Sequence, residues 1–300
     1  MRRTLRAETT GEQHVEQLTG THRTIIPPEV TAPAVVREDR PVAVIDLNAD
    51  LGEGDGPWRL EPPADEALLA LVSSANVAAG YHGGDAGTMA LTCAGALAQG
   101  VAVGAHPSYD DREGFGRRRV DVPPAVLQAQ VAAQIGSLVA VAATVGARVT
   151  HVKPHGALYS AVVHDEEQAR AVVSAVAAVD PGLAVLGLPG SRVLTLADDA
   201  GLPTVVEAFV DRGYRPDGTL VPRGEHGALV TDPAVAAERA VRLAVDGVVL
   251  AVDGTPVRLR PDSLCVHSDT PGAVAIAGAV RRALGAAGVD VRPFAPATTR

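Results

Sequence analysis

Short apolar runs alternate with helical patterns along the chain from Pro41 onward. Short, wholly apolar runs are typical of parallel strands that are buried on both faces and covered by helices. Seven runs are of strand type and mainly apolar: VAVIDLN (42–48), SSANVAA (73–79), VAVGA (101–105), RVTHVK (148–153), LAVLGL (183–188), PTVVEA (203–208) and SLCVH (263–267). Helical patterns follow them at about 64–72, 86–99, 123–145, 165–178, 191–200, 232–246 and 272–287.

This order predicts the fold class α/β. Seven units in about 260 residues suit a single irregular (β/α) barrel of about seven parallel strands over residues 41–300. An open, doubly wound sheet is the alternative. The segment 247–259, centred on Asp253-Gly254, predicts an inserted β-hairpin. Residues 1–40 lack apolar periodicity and hold six arginines and six acids, which predicts a flexible N-terminal extension.

The composition narrows the class of protein. Apolar residues make up 47% of the 300 positions and aromatic residues only 3%, so we expect a core of alanine, valine and leucine. The net charge of −9 argues against nucleic acid as the main partner. No uninterrupted apolar run approaches the ~20 residues of a membrane helix, and the N-terminus lacks the apolar stretch of a secretory signal. Cys93 and Cys265 are expected to be buried thiols, which favours a cytoplasmic location.

Two residue types are almost absent from the chain. Of the 26 basic residues, 25 are arginine, and Lys153 is the only lysine. The only asparagines are Asn48 and Asn76. Arginine is a wide planar fork and lysine a compact point charge, so a single retained lysine is a candidate for a role that arginine cannot fill.

The unusual polar residues follow the carboxyl ends of the predicted strands. They lie in the segments 46–58, 81–85, 106–111, 151–159, 207–214 and 267–269. In a parallel barrel the loops after the strands all open on one face, where active sites form. The sequence therefore predicts one site, supplied with acids, histidines and a lysine from six loops.

Three polar positions alternate along the first predicted strand. Asp46, Asn48 and Asp50 are therefore expected to point to the same side. Together with Glu53 they form an acidic mouth suited to a divalent metal or to general-base chemistry. Turn-forming chemistry is the alternative explanation of these residue types.

The later segments add cationic and anionic groups. His82 and Asp85 precede a helix, and Asp85 fits an N-cap there. Lys153 suits the stabilisation of a phosphate or an oxyanion, a contact worth about 3–4 kcal/mol in such sites. Glu207 is a further acid. Asp211 and Arg212 suit either a carboxylate clamp or a surface salt bridge.

Several common motifs are missing from the sequence. The only lysine follows Val152, so there is no Gly-Lys of a Walker A loop. No GxGxxG follows the first strand, and neither GxSxG nor CxxC occurs. If a nucleotide is used, its site is unconventional or lies on another subunit.

Five longer segments carry a family resemblance. They are IDLNADLGEG (45–54), SSANVAAGYHGGD (73–85), GVAVGAHPSYDDREGFGR (100–117), HVKPHGALY (151–159) and FVDRGYRPDGTLVPR (209–223). In this order they resemble the LamB/YcsF family of 5-oxoprolinase A subunits from about Val44 to the end. Ala79 and Tyr81 depart from the cysteine and phenylalanine that this family often has, so no thiol nucleophile is expected at position 79.

The resemblance implies a fold, a reaction and partners. The fold is an irregular (β/α) barrel related to the glycoside hydrolase and polysaccharide deacetylase barrels. The reaction is the ATP-dependent opening of the lactam of 5-oxo-L-proline to L-glutamate, with Mg²⁺ accompanying ATP. The partners are two carboxylase-like proteins, the B and C subunits.

This reaction needs a base for water and groups that hold a phosphorylated oxygen. Asp46 or Asp50 is the first candidate for the base and His82 or His106 the second, while Lys153 and His155 are expected to hold the oxygen. The residues expected to bind substrate or phosphate are Asn48, Glu53, Asn76, Asp85, Glu207, Asp211 and Arg212.

Two other functions compete with this one. The first is a metal-dependent hydrolase or deacetylase that acts on an amide without ATP, with Asp50, His82 and His106 as candidate metal ligands. Chelation would abolish its activity and nucleotide would be unnecessary. The second is a non-enzymatic lactam-binding or regulatory protein, whose assembly with partners would survive loss of the charge of Asp50 or Lys153.

Overall fold

Seven parallel strands of the chain close into a barrel. The computed structural model describes residues 43–54 and 63–295. Its elements are β1 (Val44–Leu51), α1 (Pro63–Leu69), β2 (Ser74–Ala78), α2 (Ala86–Gln99), β3 (Ala102–His106), α3 (Pro124–Thr144), β4 (Val149–Val152), α4 (Gly156–Ala161), α5 (Glu166–Val179), β5 (Ala184–Gly187), α6 (Arg192–Asp199), β6 (Thr204–Phe209), α7 (Pro233–Asp246), β7 (Val248–Leu250), β8 (Pro256–Arg258), β9 (Ser263–His267), α8 (Ala273–Ala286) and β10 (Asp290–Val291).

The closure of the barrel depends on strand β9. Strands β1 to β6 pair in chain order, β6 pairs with β9, and β9 pairs with β1 from Asp46 to Asp50. All of these pairings are parallel. The predicted barrel of about seven parallel strands is therefore confirmed, and the open sheet is wrong.

The remaining strands lie outside the ring of seven. Strands β7 and β8 pair in an antiparallel hairpin, as the sequence predicts. The two-residue strand β10 pairs with the first residues of β1, Val44 and Ile45. Helix α4 is the next element after β4. Neither β10 nor α4 is predicted from the sequence, because each is too short to show a hydrophobic period. The predicted N-terminal extension, residues 1–40, lies outside the described residues.

Several helix boundaries follow from capping side chains. The carboxylates of Asp85, Asp165 and Asp232 accept hydrogen bonds from backbone N–H groups in the first turns of α2, α5 and α7. Helices α2 and α7 end at Gly100 and Gly247, which adopt the left-handed conformation. These signals explain why the predicted helix boundaries lie within a few residues of those observed.

Among the described helices, α3 alone has the length and composition of a membrane span: it has 21 residues, and an 18-residue window of it has a mean hydropathy of 1.6. It packs against α2 and α5. Leu127, Val131, Ile135 and Leu138 are buried on its inner face. The side chain of Gln134, on the same face, bonds to the backbone of Ser108 at both ends of its amide. Helix α3 is thus one of the helices that cover the barrel.

The two faces of β1 are chemically different. Leu47, Ala49 and Leu51 belong to the apolar core between strands and helices. The intervening Asp46, Asn48 and Asp50 are buried inside the barrel, so the predicted alternation is confirmed. The interior is therefore lined by polar groups at this strand.

Gly104 makes room for His151 inside the barrel. A Cβ atom at Gly104 would lie 2.1 Å from Cδ2 and Nε2 of His151. The ring is fixed by hydrogen bonds with Asn76 and Thr150, so it cannot move aside without losing them.

We expect Gly104→Ala to lower the free energy of unfolding by about 1–3 kcal/mol, the usual cost of overpacking. Gly136→Ala is the matched control, since no atom lies within 4 Å of its Cβ position in α3. A gain of about 0.5–1 kcal/mol is expected there. Urea unfolding of both variants measures the difference, and equal midpoints would contradict this account of Gly104.

Candidate active site

The polar layer farthest from the carboxyl ends of the strands surrounds Asp46. Its carboxylate accepts hydrogen bonds from Ser73 and Ser74, each at 2.7 Å, and from Ser263. Burial raises the pKa of this carboxyl to about 6, although the serine hydroxyls oppose the rise. Asp46 thus bonds to three serines inside the barrel, away from the cavity described below.

The middle layer is built from the two asparagines of the chain. Asn48 Nδ2 donates to Glu207 Oε1 at 2.9 Å and to Ser263 Oγ at 2.7 Å. Asn76 Nδ2 donates to Asn48 Oδ1 at 2.8 Å and to Asp50 Oδ1 at 2.9 Å. An amide offers donors and an acceptor without a charge, so it can link carboxylates that would otherwise repel each other.

His151 completes the middle layer as a neutral side chain. Its Nε2 lies 3.0 Å from Asn76 Oδ1 and its Nδ1 2.9 Å from Thr150 Oγ1. Burial, together with the positive charge of Lys153, lowers the pKa of His151 to about 3. His151 therefore orients Asn76 without adding charge.

The ammonium of Lys153 lies at the centre of the interior. Its Nζ is 2.8 Å from Glu207 Oε1, 3.0 Å from Asp50 Oδ1 and 3.3 Å from Asn48 Oδ1. Burial disfavours the charged form, but Asp50, Cys265 and Glu207 outweigh it and raise the pKa of Lys153 well above its usual range. A compact ammonium reaches this position between two carboxylates, as the scarcity of lysine suggests.

Asp50 forms the top of the same network. Its Oδ1 accepts from Asn76 and Lys153, and its Oδ2 faces His106 Nε2 at 3.4 Å. Burial alone would raise the pKa of Asp50, yet His106 and Lys153 hold it well below its usual range. Asp50 is thus an ionised carboxylate at the carboxyl end of β1.

Three histidines meet beside Asp50. The rings of His82 and His155 are stacked, with centroids 3.8 Å apart, and His106 lies edge-on to both. Burial lowers the pKa of His82 and of His155 well below the usual range. For His106 burial also disfavours the proton, but Asp50 outweighs it and raises its pKa.

The loop after β3 closes over these histidines. The ring of Phe115 lies edge-on to His82 and His155, and its carbonyl oxygen is 2.8 Å from His155 Nε2. Phe115 and Gly116 both have positive φ, at 53° and 63°. A Cβ at Gly116 would lie 2.8 Å from His155 and 2.9 Å from His82, so glycine allows this close approach.

A cavity of about 630 Å³ opens above the network. Asp50, His106, Lys153 and His155 lie among its lining residues. The cavity also has five arginines: Arg117, Arg119, Arg212, Arg215 and Arg223. Asp269 is the shared carboxylate partner of Arg117 and Arg223, so this pair keeps a net positive charge. The cavity therefore suits a small anionic molecule.

Most of the sequence-predicted residues lie in three neighbouring places: the cavity, the barrel interior and the histidine cluster. Asp50, His106, Lys153, His155 and Arg212 line the cavity. Asp46, Asn48, Asn76 and Glu207 lie inside the barrel, where they hold one another and Lys153. His82 and Glu53 belong to the histidine cluster, with His82 Nε2 3.2 Å from Glu53 Oε1.

The last two predicted residues hold other parts of the structure. Asp85 caps α2 through Thr88 N, as its position before the helix suggests. The carboxylate of Asp211 bonds to His267 and Thr270. Arg212 also supports its own loop, since its guanidinium donates to the carbonyl groups of Val221 and Ala228.

Some contributors are not among the site residues predicted from the sequence. His267 lines the cavity, and Asp211 fixes its ring at 3.0 Å. The Phe115 carbonyl orients His155, and its one signal is the pair of glycines that flank it. Cys265, predicted only as a buried thiol, lies 3.1 Å from Lys153 Nζ.

Fold and site together define a (β/α)-barrel protein with an enzyme-like centre, in which buried acid, lysine and histidine groups meet at the carboxyl ends of the strands. The chain belongs to the LamB/YcsF family, whose model matches residues 45–299.

Relatives match almost the whole described region. A 5-oxoprolinase A subunit from Streptomyces avermitilis is 59% identical over 252 residues, which cover 84% of this chain and 100% of that protein. A 5-oxoprolinase A subunit from Cutibacterium acnes is 50% identical over 258 residues, 85% of this chain and 100% of that protein. The crystal structure of a lactam utilization protein from Thermus thermophilus superposes with a TM-score of 0.78 at 47% identity, covering 84% of this chain and 100% of that chain.

The raised pKa of Asp46 predicts a pH-dependent stability. Since the folded state binds this proton more tightly than the unfolded state does, raising the pH from about 3 to about 7 removes stability. A shift from 3.8 to about 6 corresponds to about 3 kcal/mol. We expect the difference in unfolding free energy, wild type minus Asp46→Asn, to fall by roughly this amount across the window. Urea unfolding at several pH values measures it, and a flat difference would contradict the assignment.

Proposed function

We propose that this chain is the A subunit of an ATP-dependent 5-oxoprolinase, which opens the lactam of 5-oxo-L-proline to L-glutamate. The single observation that carries the proposal is the ionised Asp50, held by Lys153 and facing an arginine-lined cavity. The names of relatives at 59% and 50% identity support the choice of substrate.

The chemistry of the lactam explains the need for ATP. A five-membered lactam is a resonance-stabilised amide that forms readily from glutamate, so its opening requires coupling. Transfer of the γ-phosphoryl group to the amide oxygen creates an electrophilic carbon. Water then adds to that carbon, and the C–N bond breaks, which leaves a free amine and an acyl phosphate. A second water molecule hydrolyses the acyl phosphate to the carboxylate and inorganic phosphate.

The groups of the site have different roles in these reaction steps. Asp50 takes the proton from the attacking water and returns it to the departing nitrogen. The arginines of the cavity hold the substrate carboxylate and the phosphoryl oxygens, for which guanidinium is well suited. Lys153 is a positioning residue, because its ammonium faces Asp50, Glu207 and Asn48 and keeps Asp50 ionised.

We also propose a cofactor, two partner proteins and a cellular location for this chain. ATP enters as its Mg²⁺ complex, and its use is shared with two carboxylase-like proteins, the B and C subunits. The relatives are named as one lettered component of 5-oxoprolinase, which supports such an assembly. A cytoplasmic location is part of the proposal, because ATP is supplied inside the cell.

A second candidate function is a metal-dependent amide hydrolase that needs no ATP. The cluster of Glu53, His82, His106 and His155 favours it, since these residues bring ligand atoms within 4.8 Å of one another. The requirement for nucleotide separates the two functions.

Reconstitution tests the proposed reaction. Glutamate and ADP are measured with 5-oxo-L-proline, ATP and Mg²⁺, using the chain alone and then with the two proposed partner proteins. We expect equal amounts of glutamate and ADP in the complete mixture only. Glutamate release without ATP would favour the metal-dependent hydrolase, and no release in any mixture would rule out the proposed function.

Asp50→Asn tests the base. The amide keeps the size of the side chain but cannot accept the proton, so we expect kcat in the complete mixture to fall by about 10²–10⁴-fold. Asp199→Asn, an exposed aspartate at the end of α6, is the matched control and should leave kcat unchanged. A decrease below tenfold for Asp50→Asn would exclude Asp50 as the base.

A further inference from the structure

Two buried histidine nitrogens of the cluster face each other. His106 Nδ1 lies 2.7 Å from the carbonyl oxygen of Lys153, and His155 Nε2 lies 2.8 Å from that of Phe115. A carbonyl only accepts, so each of these nitrogens carries the N–H of its ring. When both rings are neutral, His106 Nε2 and His155 Nδ1 therefore both present lone pairs, and they are 3.1 Å apart.

A positive charge between the two nitrogens, carried by a proton or by a metal ion, stabilises this arrangement. Facing lone pairs repel each other, and both rings are almost fully buried. The backbone carbonyls that fix the ring orientations are the kind of outer partners that histidine ligands of metals usually have.

Glu53 supplies a third atom at a matching distance. Its Oε1 lies 3.4 Å from His155 Nδ1 and 3.9 Å from His106 Nε2. Metal–ligand bonds of 2.0–2.1 Å in a tetrahedral site place neighbouring ligand atoms about 3.3 Å apart. The three separations of 3.1, 3.4 and 3.9 Å are close to one triangular face of such a site.

His82 has a different relation to this face. Its ring stacks on that of His155 with an angle of 6° between the planes. Two stacked rings cannot both aim an in-plane lone pair at the same ion. We therefore assign His82 to the outer layer, where its Nε2–H donates to Glu53 Oε1 at 3.2 Å and orients the carboxylate.

We propose that Glu53, His106 and His155 bind one divalent transition-metal ion of the Zn²⁺ type beside Asp50. Two imidazoles and one carboxylate form a ligand set known from zinc sites that keep a fourth position open. Mg²⁺ and Ca²⁺ prefer oxygen ligands alone and suit this set poorly. The site deepens the proposed function, since His106 and His155 line the same cavity as Asp50.

The assignment differs from the sequence-predicted ligands Asp50, His82 and His106. Asp50 belongs to a second group of potential ligands, with Cys265 and His267. Lys153 Nζ lies 3.0 Å from Asp50 Oδ1 and 3.1 Å from Cys265 Sγ. A positive charge already occupies that position and repels a metal ion.

Metal binding to the untagged full chain tests the inference without an activity assay. The chain is dialysed against a chelator, the chelator is removed, and Zn²⁺ or Co²⁺ is titrated in. We expect one ion per chain by elemental analysis, and the visible absorption of a four-coordinate Co²⁺ site with nitrogen and oxygen ligands.

Variants assign the ligands. Glu53→Gln and His155→Gln should lose the stoichiometric ion, while His82→Gln should keep it with affinity lowered about 10–100-fold. His226→Gln, an exposed histidine, is the matched control and should bind as the wild type does. Thermal melts of the metal-free proteins verify that each variant is folded.

Two outcomes would overturn the inference. One is sub-stoichiometric binding by the wild type, in which case a shared proton fills the space between His106 and His155. The other is equal binding by the wild type and the folded Glu53→Gln and His155→Gln variants. A bound ion without glutamate release in the complete mixture would defeat the proposed function and leave this inference standing.

Discussion

The architecture of this barrel depends on one buried positive charge, the ammonium of Lys153. Taking such a charge out of water costs several kcal/mol unless partners of opposite charge surround it. Glu207 and Asp50 provide them, at 2.8 and 3.0 Å. The other interior groups accommodate this trio: Asn48 accepts from the ammonium and donates to Glu207, and Asn76 holds Asp50. Polar layers thus replace the branched apolar layers that usually fill a (β/α) barrel.

The charge of Lys153 also helps to drive apart the pKa values of two carboxyl groups of one strand. Asp46 and Asp50 both point into the barrel from β1, yet their pKa values shift in opposite directions. The serine hydroxyls lower the pKa of Asp46 by less than burial raises it. The cations beside Asp50 lower its pKa by more than burial raises it. Two acids with opposite shifts are a common arrangement in enzyme sites, where they take different tasks. Here the lower acid serves the interior and the upper one faces the cavity.

Much of this arrangement follows from sequence patterns. The period-two alternation of β1 predicted that Asp46, Asn48 and Asp50 share a side, and the scarcity of lysine singled out Lys153. The partners were not predictable in the same way. Asn48 meets Glu207 at a separation of 159 residues, and such a contact depends on the stagger of distant strands around the ring. The Phe115 carbonyl is a backbone group, whose direction is set by the fold of its loop rather than by residue type.

The closure of the ring by β9 also governs how the molecule is assembled. The bond between Asn48 and Ser263 spans 215 residues, and β9 supplies a neighbour to every interior position of β1 from Asp46 to Asp50. Until β9 has left the ribosome, Asp46 and Asn48 lack their bonds to Ser263, and strands β1 and β6 each have an unpaired edge. Contacts of such long range slow folding, because loop-closure entropy is lost before they form. The chemistry of the cavity is therefore acquired only once β9 is in place, together with the cooperative stability of the domain.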